Sequence, residues 1–143
     1  MTVTKLAAVA TTRSSAPREL RLSIDGFPGP SYLIELCGDT LIWAHADGDH
    51  VDDEPICLLP GERWTSFAAT LDELGVWDWA PSYTAAHDPA AEPGGEVVDG
   101  VSWRVHISWD GRTVLASGID TFPPSWDAFC ESVERLLGGL SFR

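Results

Sequence analysis

Basic residues are scarce in this sequence. Its 143 residues include nine lysines and arginines against 22 aspartates and glutamates, which gives a formal net charge of −13 at pH 7. Four of the nine basic residues precede position 22, so the rest of the chain carries 21 acidic and five basic side chains. Such a surface repels nucleic-acid phosphates and anionic membranes, and it favours cations or basic proteins. We therefore expect neither a nucleic-acid nor a membrane partner.

Cysteines, long apolar runs and catalytic motifs are few or missing. The three cysteines, Cys37, Cys57 and Cys130, contain no Cys-x-x-Cys pair. This pattern argues against a disulfide framework or a zinc site, and it favours a reducing cytoplasm. The apolar runs are far shorter than the ~20 residues of a membrane-spanning helix. No Gly-x-Ser-x-Gly, P-loop or Gly-x-Gly-x-x-Gly motif occurs, so the enzyme classes that these motifs mark are not expected.

Two hairpins are predicted from turn residues and alternation. The first joins residues 31–37 to 40–45 across Gly38-Asp39, and the second joins 101–109 to 112–118 across Asp110-Gly111. An apolar residue at every second position indicates one buried and one solvent-facing side in each strand of the second hairpin. In the first hairpin, the predicted core face consists of Tyr32, Ile34, Leu36, Leu41, Trp43 and His45.

Two amphipathic helices and one further strand complete the predicted elements. Apolar residues repeat every three or four positions from Trp64 to Leu74 and again from Trp126 to Leu137, and a glycine follows each run. A strand is predicted through residues 20–24. The order β-β-β-α-β-β-α predicts an α+β fold, in which an antiparallel sheet of the two hairpins and the N-terminal strand packs both helices on one face.

The chain length is typical of one domain. We expect residues 1–17 to form a flexible N-terminal tail and residues 18–143 to form a single α+β domain. The proline- and glycine-containing stretch 84–96 is predicted to be a flexible connection between the two halves.

The segment most suggestive of chemistry is His45-Ala46-Asp47-Gly48-Asp49-His50, directly after an apolar strand. It resembles the His-x-His-x-Asp-His box of metallo-β-lactamase-fold hydrolases, although Asp47 stands at that family's second histidine. The resemblance implies that His45, Asp47, Asp49 and His50 bind zinc or another divalent cation, and a carboxylate is an acceptable zinc ligand. The acidic run Val51-Asp52-Asp53-Glu54-Pro55 follows instead of the family's glycine-rich sequence. The further histidine ligands would have to be His87 and His106.

The acidic residues of the same stretch have two other interpretations. Their carboxylates are potential calcium ligands, but the order of glycine and glutamate differs from an EF-hand loop. Alternatively, Asp52, Asp53 and Glu54 belong to a solvated loop that contacts a basic partner protein or protects a sheet edge.

Other candidate contact residues are aromatic or lie on the solvent-facing side of a strand. Trp79 and Tyr83 lie in the turn-like stretch 77–83, where exposed rings would anchor a partner or a ligand. The favoured alternative is burial of Trp77 and at least one other of these rings against the core. Arg104 and His106 lie on the polar face of the second hairpin. A small-ligand binding module that uses this face or residues 77–83 is therefore a further alternative.

Two patterns in the second half resemble a group of small, tryptophan-rich bacterial α+β proteins to which no activity is attributed. They are Asp99-Gly100-x-x-Trp103 and Gly118-x-x-x-x-Pro123-x-x-Trp126-x-x-Phe129. The resemblance implies the α+β fold class and nothing about chemistry.

The sequence as a whole favours a cytoplasmic, non-catalytic protein that binds a basic protein partner. The sharper form of this expectation is a protein like the immunity proteins or antitoxins that cover a basic toxin. An acidic surface with embedded aromatic residues steers and holds such a partner. The alternatives that stay open are a metal-dependent hydrolase built on His45, Asp47, Asp49 and His50, and a small-ligand binding module. The oligomeric state is not predicted.

Overall fold

The computed structural model describes residues 16–27, 29–38, 40–57, 59–84 and 100–143. The predicted tail and the predicted connection lie outside these residues except for positions 16, 17 and 84. Ala16 packs against the core and Pro17 is buried. The strands are β1 Glu19–Phe27, β2 Ser31–Cys37, β3 Thr40–Asp47, β4 His50–Cys57, β5 Ser82–Thr84, β6 Gly100–Trp109 and β7 Arg112–Ile119; the helices are α1 Gly61–Leu74 and α2 Trp126–Leu136.

The strands form one seven-stranded sheet in the order β4-β3-β2-β1-β6-β7-β5. All neighbours are antiparallel except β5, which pairs parallel to β7. The N-terminal strand β1 lies in the centre and pairs with both hairpins. Leu20, Leu22 and Ile24 are therefore buried on one face, and the two halves of the chain share a single sheet.

Both predicted hairpins are confirmed with the expected registers. Ile34 pairs with Trp43 across the first turn, and Val105 pairs with Ala116 in the second. At the second turn, Asp110 and Gly111 both have positive φ, 50° and 81°. Two successive left-handed residues are what a type I′ turn requires, and Asp-Gly supplies them at low cost.

Two strands were missed, so the predicted order of five strands was wrong in detail. The segment expected to be an acidic loop is instead a third hairpin: β3 continues to Asp47, Gly48-Asp49 forms the turn, and β4 follows. Strand β4 has no apolar alternation because it lies at the sheet edge, where neither face has to be buried. Strand β5 has three residues at the opposite edge, which is too short for a periodic signal.

Both helices pack on the same face of the sheet, as predicted. The ring centroid of Trp64 in α1 lies 5.8 Å from that of Trp109. The ring centroid of Trp126 in α2 lies 4.7 Å from that of Trp103. Trp103 and Trp109 belong to the buried side of β6. Gly75 ends α1 in the left-handed conformation that a helix C-terminus favours. No helix among the described residues is long and apolar enough to cross a membrane.

Candidate functional site

Several chain reversals meet at one end of the sheet. The register pairs Phe27 with Gly100, Ser31 with Ala46 and Asp47 with His50 at this end. The first turn of α2 lies over the same end, because Trp126 contacts Trp103 near the start of β6. The candidate site has two adjoining parts here, an acidic hairpin and an apolar crevice.

The acidic hairpin consists of residues 47–54, the end of β3, the turn and the start of β4. Its five carboxylates are all on exposed residues, and the segment contains no lysine or arginine. They are Asp47, Asp49, Asp52, Asp53 and Glu54. Since β4 is the edge strand, these carboxylates point to both sides of the sheet and are accessible from outside.

The outer edge of β4 is open to a partner only in part. A two-residue turn makes the closing pair Asp47–His50 a hydrogen-bonded pair, so the backbone groups of Val51, Asp53 and Pro55 point away from β3. Pro55 has no backbone N–H, so the free edge lacks one hydrogen-bond donor at this position. Because this residue points away from β3, no backbone hydrogen bond to β3 is lost. The edge therefore offers side-chain charge more than backbone pairing.

His45 of β3 and His50 of β4 both approach Asp52. One Asp52 carboxylate oxygen lies 3.0 Å from His50 Nε2 and 3.8 Å from His45 Nδ1. Asp47 closes the turn opposite His50, and Asp49 is an exposed turn residue. Among the described residues, no group of three or more His, Cys, Asp or Glu side chains is arranged to hold a metal ion. The structure thus brings together two histidines and Asp52, not the four-residue set suggested by the hydrolase resemblance.

The apolar crevice lies between the β1–β2 connection and the start of α2. It has a volume of about 570 Å³, and most of its wall is apolar side chain and glycine backbone. The lining residues are Ile24, Gly26, Gly29, Pro30, Tyr32, Gly100, Val101, Phe122, Trp126, Asp127 and Arg143. Phe122 is 38% exposed and stands with its ring 5.3 Å from that of Trp126. The crevice thus presents aromatic surface to solvent.

Charged groups surround the crevice on the α2 side. The Arg143 guanidinium contacts Asp127 at 2.8 Å and Glu131 at 3.6 Å, so two carboxylates face one cation. Burial raises the pKa of the Tyr32 phenol, and the negative charges of Glu134 and Asp47 raise it further. The charge of Arg143 is thus offset by carboxylates on this side of the crevice.

The crevice and the acidic hairpin adjoin through Tyr32. The Tyr32 ring forms part of the crevice wall and stacks on His45 with 4.9 Å between ring centroids. His45 in turn lies beside Asp52. Tyr32 and His45 thus lie between the apolar recess and Asp52 of the acidic hairpin.

Trp79 and Tyr83, predicted as contact residues, contribute to the core. The Trp79 ring packs 5.1 Å from Phe129, and its N–H donates to the Ser125 hydroxyl at 3.3 Å. Tyr83 packs 5.8 Å from Trp103, and its hydroxyl oxygen accepts from the Ala80 N–H at 2.9 Å. Both rings are partly buried.

Arg104 and His106 lie on the open face of the sheet, as predicted. A shallow groove of about 650 Å³ runs across this face, and serine side chains and Arg21 line it beside Arg104. Arg21 is paired with Glu35 at 3.0 Å, and His106 lies 3.5 Å from Glu19. Polar side chains thus line an open groove on this face.

Sequence reasoning missed the crevice. Its walls come from β1, β6, the segment before α2 and α2 itself, and no local pattern connects them. The available signal was Phe122, a large apolar residue outside both helical stripes and directly before two prolines. Comparison with known proteins gives no matching family model, no matching curated protein and no matching solved structure.

Proposed function

We propose that this protein is a non-catalytic, cytoplasmic interaction protein that binds a basic protein partner through the acidic hairpin. The observation that carries the proposal is the concentration of five exposed carboxylates on one edge hairpin without a lysine or arginine among them. An inhibitor that covers a basic functional surface, as an immunity protein or antitoxin does, is the form of this role that we favour.

Electrostatics supports a role in recognition. A net charge of −13 produces a field that attracts cations, and a cluster at one edge gives that field a direction. Complementary charges of this kind increase the association rate and select the partner more than they increase affinity. The interaction should therefore weaken as the ionic strength rises, because the Debye length falls to ~8 Å at 0.15 M salt.

The architecture of the hairpin also supports a contact surface. Strand β4 is held on one side only, by β3, so the exposed side chains of residues 50–55 are accessible to a partner. Val51 is 65% exposed on the open face of this strand, which adds an apolar contact among the carboxylates. Such a mixture of charge and apolar surface is typical of the rim and core of a protein interface.

The experiment is a capture from bacterial extract with three forms of the immobilised protein. The test variant carries Asp49→Asn, Asp53→Asn and Glu54→Gln, which keeps Asp52 beside its histidines. The control variant removes the same three charges elsewhere, by Glu62→Gln, Glu73→Gln and Asp78→Asn on exposed positions around α1. The captured proteins are identified by mass spectrometry at 50 and 300 mM salt.

We expect the wild type and the control to retain the same basic protein at low salt. The hairpin variant should retain at least tenfold less, because each of three lost charge contacts contributes on the order of 0.5 kcal/mol or more. Equal retention by the two variants, or no basic protein retained by the wild type, would show that the hairpin does not recognise such a partner.

A further inference from the structure

We propose that the apolar crevice is the anchor pocket for the basic partner, and that it accepts one aromatic side chain whose lysine or arginine neighbours contact the surrounding carboxylates. This inference rests on the proposed function. It adds where the partner is held and which residue type holds it.

The size and walls of the crevice support an aromatic occupant. A volume of about 570 Å³ lies within the ~300–1,000 Å³ range of pockets that enclose small molecules, and it is ample for one ring. Trp126 and Phe122 form one aromatic wall, with the rings 5.3 Å apart. Gly29 and Gly100 contribute backbone without side chains, and nothing lies within 4 Å of a Cβ added at Gly29. A flat ring can therefore approach the backbone closely on one side and stack on aromatic groups on the other.

The surrounding charges support basic neighbours for that ring. Arg143 is already engaged by Asp127 and Glu131, so its positive charge is offset on the α2 side of the crevice. On the other side, Tyr32 and His45 connect the crevice to Asp52 of the acidic hairpin. An apolar recess with carboxylates on two sides matches a lysine- or arginine-flanked aromatic residue, and such anchors dominate the energetics of many interfaces.

The same charges argue against a second copy of this chain as the occupant. Two chains that each carry −13 repel, and the carboxylates around the crevice would face those of the other copy. A basic partner removes this repulsion and gains from the field.

The test uses two short probe peptides and the ¹⁵N-labelled full chain. Acetyl-Lys-Phe-Lys-amide is compared with acetyl-Lys-Ala-Lys-amide in NMR titrations. The Trp126 indole N–H and the Val101 amide report on the crevice, and the Asp49 amide reports on the acidic hairpin. We expect the phenylalanine peptide to shift the crevice signals saturably and to bind at least tenfold more tightly than the alanine peptide, since burial of a phenyl ring contributes ~1.5–3 kcal/mol.

A third peptide and two variants of the protein complete the design. Acetyl-Glu-Phe-Glu-amide should bind at least tenfold more weakly than the lysine form. Val101→Phe should fill the crevice and abolish the advantage of phenylalanine over alanine. Phe122→Ala, a partly exposed position, removes one wall and should have the same effect if the first variant does not fold. Leu115→Phe on the open face, where Leu115 is 65% exposed, is the control and should bind like the wild type.

The outcomes separate the two proposals. If both lysine peptides shift only the hairpin signals and bind equally, the anchor pocket is refuted while the acidic hairpin remains a site for cations. If the glutamate peptide binds the crevice as tightly as the lysine peptide, the crevice binds rings without regard to charge and the proposed occupant is wrong. The capture experiment with the hairpin variants decides the proposed function independently of both results.

Discussion

Replacing Gly118 by alanine should destabilise the protein strongly, because the Trp103 indole occupies the space above this glycine. A Cβ at position 118 would lie 2.5 Å from Trp103 Nε1 and 2.6 Å from the Thr121 carbonyl oxygen. Trp103 is 1% exposed, and its N–H donates to that same carbonyl at 2.9 Å. The alanine methyl therefore displaces a buried ring and weakens its hydrogen bond.

The magnitude follows from two contributions. Overpacking a core costs ~1–3 kcal/mol, and a lost hydrogen bond costs about 1 kcal/mol. We expect Gly118→Ala to lower the free energy of unfolding by about 2–4 kcal/mol, a large fraction of the ~5–15 kcal/mol of a typical domain. Urea unfolding followed by tryptophan emission measures this value.

Two controls make the prediction specific to the contact with Trp103. Gly29→Ala, where nothing lies within 4 Å of an added Cβ, should change the free energy of unfolding by less than about 0.5 kcal/mol. In a Trp103→Phe background, Gly118→Ala should cost clearly less than in the wild type, and the cost that remains would report the Thr121 carbonyl. A Gly118→Ala variant as stable as the Gly29→Ala variant would refute the reasoning.

Two further predictions concern stability. Burial raises the pKa of the Cys130 thiol from 9.0 to about 12. As the pH rises, the thiol therefore ionises in the unfolded chain before it ionises in the folded protein. The free energy of unfolding should fall from pH 9 upward, by about 2 kcal/mol at pH 10.5. Urea unfolding at pH 8 and pH 10.5 should show a smaller fall in Cys130→Ala, and an equal fall would contradict the assignment. The Arg112 guanidinium stacks 4.4 Å above the Trp77 ring and contacts Asp72 at 2.9 Å. Because the Arg112 and Asp72 side chains are both about half exposed, Arg112→Ala should lower the free energy of unfolding by no more than ~1–1.5 kcal/mol in the same assay at pH 7. A loss above ~3 kcal/mol would mean that this surface contact is part of the core.

The central elements could be predicted because their sequence signals are local. The register of each long hairpin is set by a two-residue turn and by alternation that places Ile34 opposite Trp43 and Val105 opposite Ala116. Strand β4 gives no such signal, since an edge strand with Pro55 at its outer edge needs no apolar face. Strand β5 pairs with β7 across a long separation in sequence, which a local pattern does not reveal.

The spacing of Trp103, Gly118, Trp126 and Phe129 has a structural explanation in this fold. Trp103 packs against Trp126 at 4.7 Å, and Trp126 packs against Phe129 at 5.7 Å, while Gly118 leaves room for the Trp103 indole. These residues form a single packing unit between β6, β7 and α2. The spacing of these residues is therefore explained by the packing beside the crevice.

The acidic edge strand has a simpler explanation that has to be weighed against recognition. Charged residues and a proline on an edge strand prevent it from pairing with another copy of the chain, and Asp53 with Pro55 would suffice for that purpose. Protection of the edge does not account for Asp47 and Asp49, which lie at the turn and outside the pairing edge. Nor does it account for an aromatic crevice that adjoins the same turn through Tyr32 and His45. The proposed recognition of a basic partner would account for the position of both features. Unlike edge protection, it requires a binding partner, and neutralising the turn and strand carboxylates should abolish binding of that partner.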